Sequence, residues 1–291
     1  MPDSLLLDKR QRAMLAEMGV RVWTPIEETG PLLENRENLT TAKVMQVEPT
    51  NVSEKAPETN NPGLSKIQTT KSQTTTAKNL DWPSLREAIA NCQACGLCIT
   101  RRNTVFGKGS HAPAAAANNE IQPVDWLIVG EAPGENEDAE GEPFVGQAGQ
   151  LLDNMLRAMQ LSRTGELSSA SKSQQSIFIT NVLKCRPPGN RNPAPEEIAQ
   201  CMPYLERQIA LLRPKIILAM GRFAAQALLR DSLDKVDTIP LGKLRGQVHR
   251  LGNTPVVVTY HPAYVLRNLP EKAKLWADAC LAMATLQNVD L

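Results

Sequence analysis

Four short apolar runs, each leading into a polar loop and then a helical segment, constrain this chain more than any other feature. They are 125–130 (DWLIVG), 176–182 (SIFITNV), 215–220 (KIILAM) and 255–260 (PVVVTY). Runs of this length without alternation read as strands buried on both faces. Between the first two, 147–161 carries Leu151, Leu152, Met155, Leu156 and Met159 at helical spacing. Segment 195–212 opens on Pro195, where a missing amide donor costs a helix least, and 222–230 and 271–286 follow the last two runs. The expected fold is α/β, with a four-stranded, mostly parallel sheet covered on both faces. Ligands of such sheets bind outside the carboxyl ends of the strands, so chemistry is expected in the loops that follow them.

Composition narrows the ligand little. A net charge of +1 means that a nucleic acid would have to be gripped by a local basic surface. No stretch of about 18 uninterrupted apolar residues occurs. The start mixes Asp3, Asp8, Lys9, Arg10 and Arg12 among its leucines, unlike a secretory signal. The expectation is a cytoplasmic protein with no membrane partner. No aromatic residue occurs between Trp23 and Trp82, and 49–78 is dominated by Thr, Ser, Asn, Gln, Pro and Lys. Residues 24–80 therefore read as a disordered linker that cannot bury enough apolar area to offset backbone ordering. The folded domain is expected over 81–291. Ahead of the linker, 12–23 (RAMLAEMGVRVW) is apolar-periodic, the pattern of a docking helix on a tether; folding back onto the body is the other reading.

Six cysteines in a reducing compartment are better read as metal ligands or packing residues than as disulfides. Cys92 and Cys95 form C-x-x-C just before the first run, and Cys185 and Cys201 flank an RPPGNRNP loop. Four thiolates suit tetrahedral zinc or an iron-sulfur cluster, and spacing does not separate the two. Cys280 reads as a packing residue and Cys98 is left unassigned.

The loop after the first run, GEAPGENEDAEGEPFVGQAG (130–149), is glycine-rich and far too acidic for a phosphate cradle. Phe144 stands in it among Gly and Pro, where it either closes the core or stacks on a flat ligand. After the second run, Asn181 is an amide at a strand end, able to read a pyrimidine edge or to cap a turn, and Lys184, Arg186 and Arg191 bring local positive charge. After the fourth run comes HPAYVLRN (261–268). It joins a polar catalytic candidate, His261, to apolar Tyr264, Val265 and Leu266 flanked by Arg267, a wedge for a base stack.

In order and separation, GEAPGENEDAEGEPFVGQAGQLLD, NVLKCRPP, the four cysteines and HPAYVLRN resemble the family 4 uracil-DNA glycosylases over roughly 82–286. The resemblance implies a three-layer α/β/α sandwich, activity on uracil in single- or double-stranded DNA, and a structural 4Fe-4S cluster on Cys92, Cys95, Cys185 and Cys201. It also implies that Phe144 stacks on a flipped uracil, that Asn181 bonds its Watson–Crick edge and that His261 faces uracil O2. Glu131 and Glu137 belong to the first catalytic motif, with Gly130 and Ala132 at the base, and Glu137 is the candidate that crowds the uracil C5 edge. DNA contacts are expected from Gln147, Arg186, Tyr264, Val265, Leu266 and Arg267. Ala132 stands where the family 1 enzymes carry a water-orienting Asp, so the group that aligns water is open. A related family with GEQPG and an added basic loop attaches covalently to DNA; GEAPG, with no such insertion before His249, favours multiple turnover. The alternative function is a non-catalytic DNA-binding or replication accessory protein on the same fold. The pattern L-x-x-M-G-V-x-x-W (15–23) resembles the amino-terminal segment of the ψ subunit of DNA polymerase III, which implies a clamp-loader or other replication partner for 12–23.

Overall fold

The computed structural model describes residues 77–109, 123–164 and 175–289. The expected docking helix at 12–23 and nearly all of the expected linker lie outside the described residues. The last four residues of that linker do not behave as one: 77–79 form a 3-10 turn, Ala77 is buried and Leu80 packs on the core. The body therefore begins earlier than Asp81, whose carboxylate caps the first helix by accepting from Ser84 N at 2.9 Å.

Each of the four apolar runs is a strand: β2 (Trp126–Gly130), β3 (Ile177–Asn181), β4 (Ile216–Met220) and β6 (Thr254–Thr259). They pair in parallel, in the order β3-β2-β4-β6. The sheet is wider than the sequence predicts. A two-residue strand, β1 (Lys108–Gly109), and β5 (Val248–Leu251) add antiparallel edges, making six strands among the described residues, in the order β1-β3-β2-β4-β6-β5.

Alternate strand residues feed two cores. Leu127, Val129, Ile217, Ala219, Val256 and Val258 face α1 (Trp82–Ala90), α5 (Pro195–Leu212) and α6 (Arg222–Leu229). Their neighbours Trp126, Ile128, Ile179, Leu218, Met220 and Val257 face α4 (Gln147–Ala158) and α9 (Lys272–Val289). The result is the three-layer sandwich, and its apolar strands are explained by burial on both sides. No helix among the described residues is long and apolar enough to cross a membrane.

The chain reverses direction across the sheet at β2, because β3 lies to one side of it and β4 to the other. A crevice is expected at such a switch point, beyond the strand carboxyl ends. The register sets its floor: Gly130 pairs with Asn181 at the ends of β2 and β3.

Candidate active site

A cavity of about 620 Å³ opens at that switch point. Its walls come from the loops after β2, β3, β4 and β6 and include Glu131, Phe144, Asn181, Arg222, Tyr260 and His261. Two of these residues meet around Gly130. A Cβ placed there would lie 2.3 Å from Asn181 Oδ1 and 2.5 Å from Phe144 Cζ, so only glycine lets the amide and the ring converge. Asn181 is buried, and its Oδ1 has no hydrogen-bond partner. A buried acceptor without a donor is costly, and such an atom at a cavity wall points to a ligand that supplies the donor. Asn181 does not cap the following turn, because its Oδ1 accepts from no backbone amide, while its backbone carbonyl accepts from Lys184 Nζ at 2.6 Å.

Phe144 is buried and adopts φ 55, a left-handed backbone that a bulky residue rarely takes. Glu137 holds it there. One of its carboxylate oxygens accepts from Val145 N (2.9 Å) and Gly146 N (3.1 Å), and the other from Gly134 N (3.0 Å). Arg163 Nη1 adds a bond to Pro143 O at 2.9 Å. Gly149 makes room on the far side, since a Cβ there would sit 1.7 Å from Phe144 O. Glu137, expected in the first catalytic motif, lines the cavity, and both of its oxygens accept from backbone amides, so it also positions the Phe144 loop.

His261 caps α8 (Pro262–Arg267), its Nδ1 accepting from Ala263 N at 3.2 Å. That bond leaves the proton on Nε2. Burial, with Arg267 nearby, pushes the imidazole pKa down to about 4, so the neutral Nε2–H donor is the form present at neutral pH. The ring stacks on Phe144, with centroids 5.5 Å apart and planes 26° from parallel. Glu131 also faces the cavity; burial raises its pKa, and the Arg222 guanidinium opposes that rise.

Several expected DNA contacts are redistributed. Tyr264 is 38% exposed on the rim and Arg267 and Gln147 are exposed, but Val265 is fully buried in the core and Leu266 packs against it. A single turn of helix carries 264–266, so only one of the three can point outward. Val265 is not a wedge. Arg186 lies at the surface near Glu135 (3.5 Å) and bonds Asn190 Oδ1. Lys184, read from the sequence as local surface charge, is instead fully buried, its Nζ donating to Thr180 Oγ1 (2.7 Å), Asn181 O and Gln208 Oε1 (2.7 Å). Arg191 pairs with Glu197 through both nitrogens.

A second, smaller cavity lies behind that lysine, lined by Cys92, Cys95, Cys98, Cys185 and Cys201 with Arg101, Tyr204 and apolar side chains. Burial pushes the Cys185 thiol up to about 11 and that of Cys201 up to about 12. Arg101 Nη1 donates to Cys185 Sγ at 3.2 Å. Cys280 packs against the opposite core, as expected of a packing residue.

One functional connection gives no sequence signal. Asp138, buried in the otherwise polar helix α3 (Glu135–Glu140), accepts from Arg102 N (2.9 Å) and Asn103 N (3.4 Å) and so ties the cysteine segment to the first loop.

The family model for the uracil DNA glycosylase superfamily matches residues 120–282. A type-4 uracil-DNA glycosylase of Pyrobaculum aerophilum is 40% identical over 206 residues, covering 69% of this chain and 93% of its own. The type-4 enzyme of Saccharolobus solfataricus is 39% identical over 204 residues, covering 69% of this chain and 83% of its own. That of Thermotoga maritima is 38% identical over 183 residues, with 62% and 81% covered. The α/β fold agrees with these matches, and the chain belongs to the uracil-DNA glycosylase superfamily, on its type-4 branch.

Proposed function

We propose that this protein hydrolyses the N-glycosidic bond of deoxyuridine in DNA, releasing uracil and leaving an abasic site for base-excision repair. The observation that carries this reading is the buried, unpartnered Oδ1 of Asn181. Uracil offers an N3–H donor to that oxygen and an O4 acceptor to the amide nitrogen, whereas cytosine presents a bare N3 and an amino group. The base, taken out of its stack, lies against Phe144, and His261 Nε2–H donates to O2. Cleavage leaves negative charge on the base, and a neutral donor fixed in a buried site stabilises that charge without reorganising. Glu131, whose pKa burial raises and Arg222 partly holds down, offers an acceptor for water and, when ionised, negative potential toward the sugar cation. Glu137 influences selectivity against the thymine methyl through the loop it holds. A non-catalytic accessory protein would have no use for an open buried acceptor beside a neutral imidazole.

The same reading gives Cys92, Cys95, Cys185 and Cys201 to a 4Fe-4S cluster. Among the described residues no three metal-ligating side chains converge as they would on a single ion. All four thiols line one cavity, as a cage whose irons each take a different thiolate requires, and the similarity to type-4 enzymes favours a cluster over zinc. When bound, it serves to tie the segment before the sheet to the loop after β3.

For residues 12–23 the proposal is a docking helix for a replication protein of the clamp-loader type, supported by the spacing of Leu15, Met18 and Trp23. A pull-down with purified clamp-loader subunits, comparing the whole chain with Trp23→Ala, tests it, and no retention of the whole chain discards it.

Excision from a labelled oligonucleotide holding one deoxyuridine tests the main reading, with thymine and cytosine strands as controls. Strand breaks after alkali at the uracil alone are expected; none from the uracil strand would overturn the assignment.

A further inference from the structure

We infer that Tyr260 and Tyr264 form a second, base-stacking subsite that holds the nucleobase adjacent to the flipped deoxyuridine on the same strand. The inference rests on reading the cavity as the uracil site.

The two rings lie 5.0 Å apart at 38°. Beneath them is an unusual support. The Arg245 guanidinium sits 4.3 Å from the Tyr260 ring centroid. Arg245 is itself pinned by Asp278 Oδ2 (2.7 Å from Nε) and by Lys274 O (2.7 Å). Thr259 Oγ1 donates to the same Asp278 oxygen at 2.7 Å. The side chains of Arg245 and Asp278 are 9% and 2% exposed. A row of contacts thus runs from a buried ion pair through Arg245 and Tyr260 to the open face of Tyr264.

Tyr260 packs partly on the core, but α8 buries Pro262 and Val265 and leaves Tyr264 exposed, so core packing does not call for the ring of Tyr264. Both tyrosines line the uracil cavity, whose volume exceeds what one pyrimidine base fills. The pair lines the same cavity as His261 with Tyr264 at its exposed side, so a strand whose uridine enters the cavity brings the neighbouring nucleotide past these rings. Exposed Arg222 and Arg267 on the same wall offer charge to the phosphates on either side. An aromatic pair backed by a fixed cation accepts any base, since every base has a π-face, and it yields affinity without sequence preference. In an intact duplex the neighbouring base is already stacked, so the subsite contributes most on single strands.

The test uses the full-length holoprotein and single-stranded oligonucleotides with one deoxyuridine, in which the 5′ neighbour, the 3′ neighbour or neither is replaced by a tetrahydrofuran abasic residue. The half-saturating protein concentration in single-turnover excision is measured. For the wild type, removing the base on one side should raise it roughly 5- to 150-fold, and removing the other should change it little. Tyr264→Ala should raise it comparably on the intact strand and lose the response to the abasic neighbour, while Tyr264→Trp should keep that response. Indifference of the wild type to both abasic neighbours, or an undiminished response in Tyr264→Ala, overturns the subsite. Absence of excision from every strand by the wild type overturns the uracil reading instead, and the subsite with it.

Discussion

The uracil cavity and the cysteine cavity share one stretch of backbone, Asn181 to Cys185, yet they hold their groups in opposite conditions. In the first, the groups already have the form that the proposed reaction needs. Asn181 keeps an acceptor open, His261 is neutral with its proton on Nε2, and Phe144 is held in a left-handed backbone by Glu137. In the second, burial raises the thiols of Cys185 and Cys201 to about 11 and about 12, so they are not thiolates until a cation offsets the cost of desolvation. One cavity is preorganised by the chain alone. With the proposed cluster, the other is completed by what it binds, and binding free energy there is folding free energy.

The largest effect should come from the dependent cavity. Cys201→Ala removes one of the thiolates around the proposed cluster and unties the loop 186–194 from the segment before the sheet. Iron analysis and thermal unfolding should show loss of most iron and a markedly lower melting temperature. Full iron occupancy in the purified variant would take Cys201 out of the ligand set. Next come changes confined to the preorganised cavity. Asn181→Ala should lower single-turnover excision about 10²- to 10³-fold. Gly130→Ala should act at least as strongly, because its methyl group meets Asn181 Oδ1 and Phe144 Cζ at distances no packing tolerates. Both variants should retain iron. Loss of iron in either would show that the two cavities fold as one unit.

Much of this was legible in the sequence because it depends on local order. The central strands are apolar on both faces, and a strand end followed by Asn181 or His261 places a polar group at the crevice by topology alone. What escaped notice depends on partners far along the chain. Strand β5 alternates between exposed and half-buried residues, and β1 is two residues long, so neither makes an apolar run. Helix α3 (ENEDAE) has no apolar face and reads as loop; it stands because acidic residues favour a helix amino terminus and Glu137 caps it. Lys184 looks like surface charge until Thr180 and Gln208 are brought around it. Val265 looks like a wedge until one turn of helix carries it into the core.

The pH response separates the cavities further. His261 has a folded pKa pushed down from 6.5 to about 4, so as pH falls through 6.5 the unfolded chain takes up a proton that the folded chain refuses. Stability from this group is complete above pH 6.5 and drains away between 6.5 and 4, by about 3 kcal/mol. Denaturant unfolding of wild type and His261→Gln at pH 7 and near pH 4.5 should show a smaller loss in the variant. Excision by the wild type should show no inflection near 6.5. An inflection there would mean that the imidazole titrates normally and that the site is wetter than its burial indicates.

The smallest expected effect concerns the residue that keeps the first cavity preorganised. Glu137 accepts from three backbone amides, and Gln at that position offers one carbonyl oxygen and turns an amino group toward a remaining N–H donor. Leaving one buried amide unpaired costs about 1–3 kcal/mol. A left-handed backbone at a residue such as Phe144 costs a similar amount and persists only while its surroundings hold it. With the tie weakened, Phe144 should spend part of its time out of the stacking position. Glu137→Gln should therefore raise the half-saturating concentration of uracil-containing DNA about tenfold, with iron content unchanged, since the Glu137 carboxylate bonds only backbone amides of its own loop. The rate at saturation should fall less, because substrate binding restores the ring. The opposite pattern, normal half-saturation with chemistry slowed at saturating DNA, would mean that the carboxylate acts on the reacting atoms, and water alignment would then pass from Glu131 to Glu137.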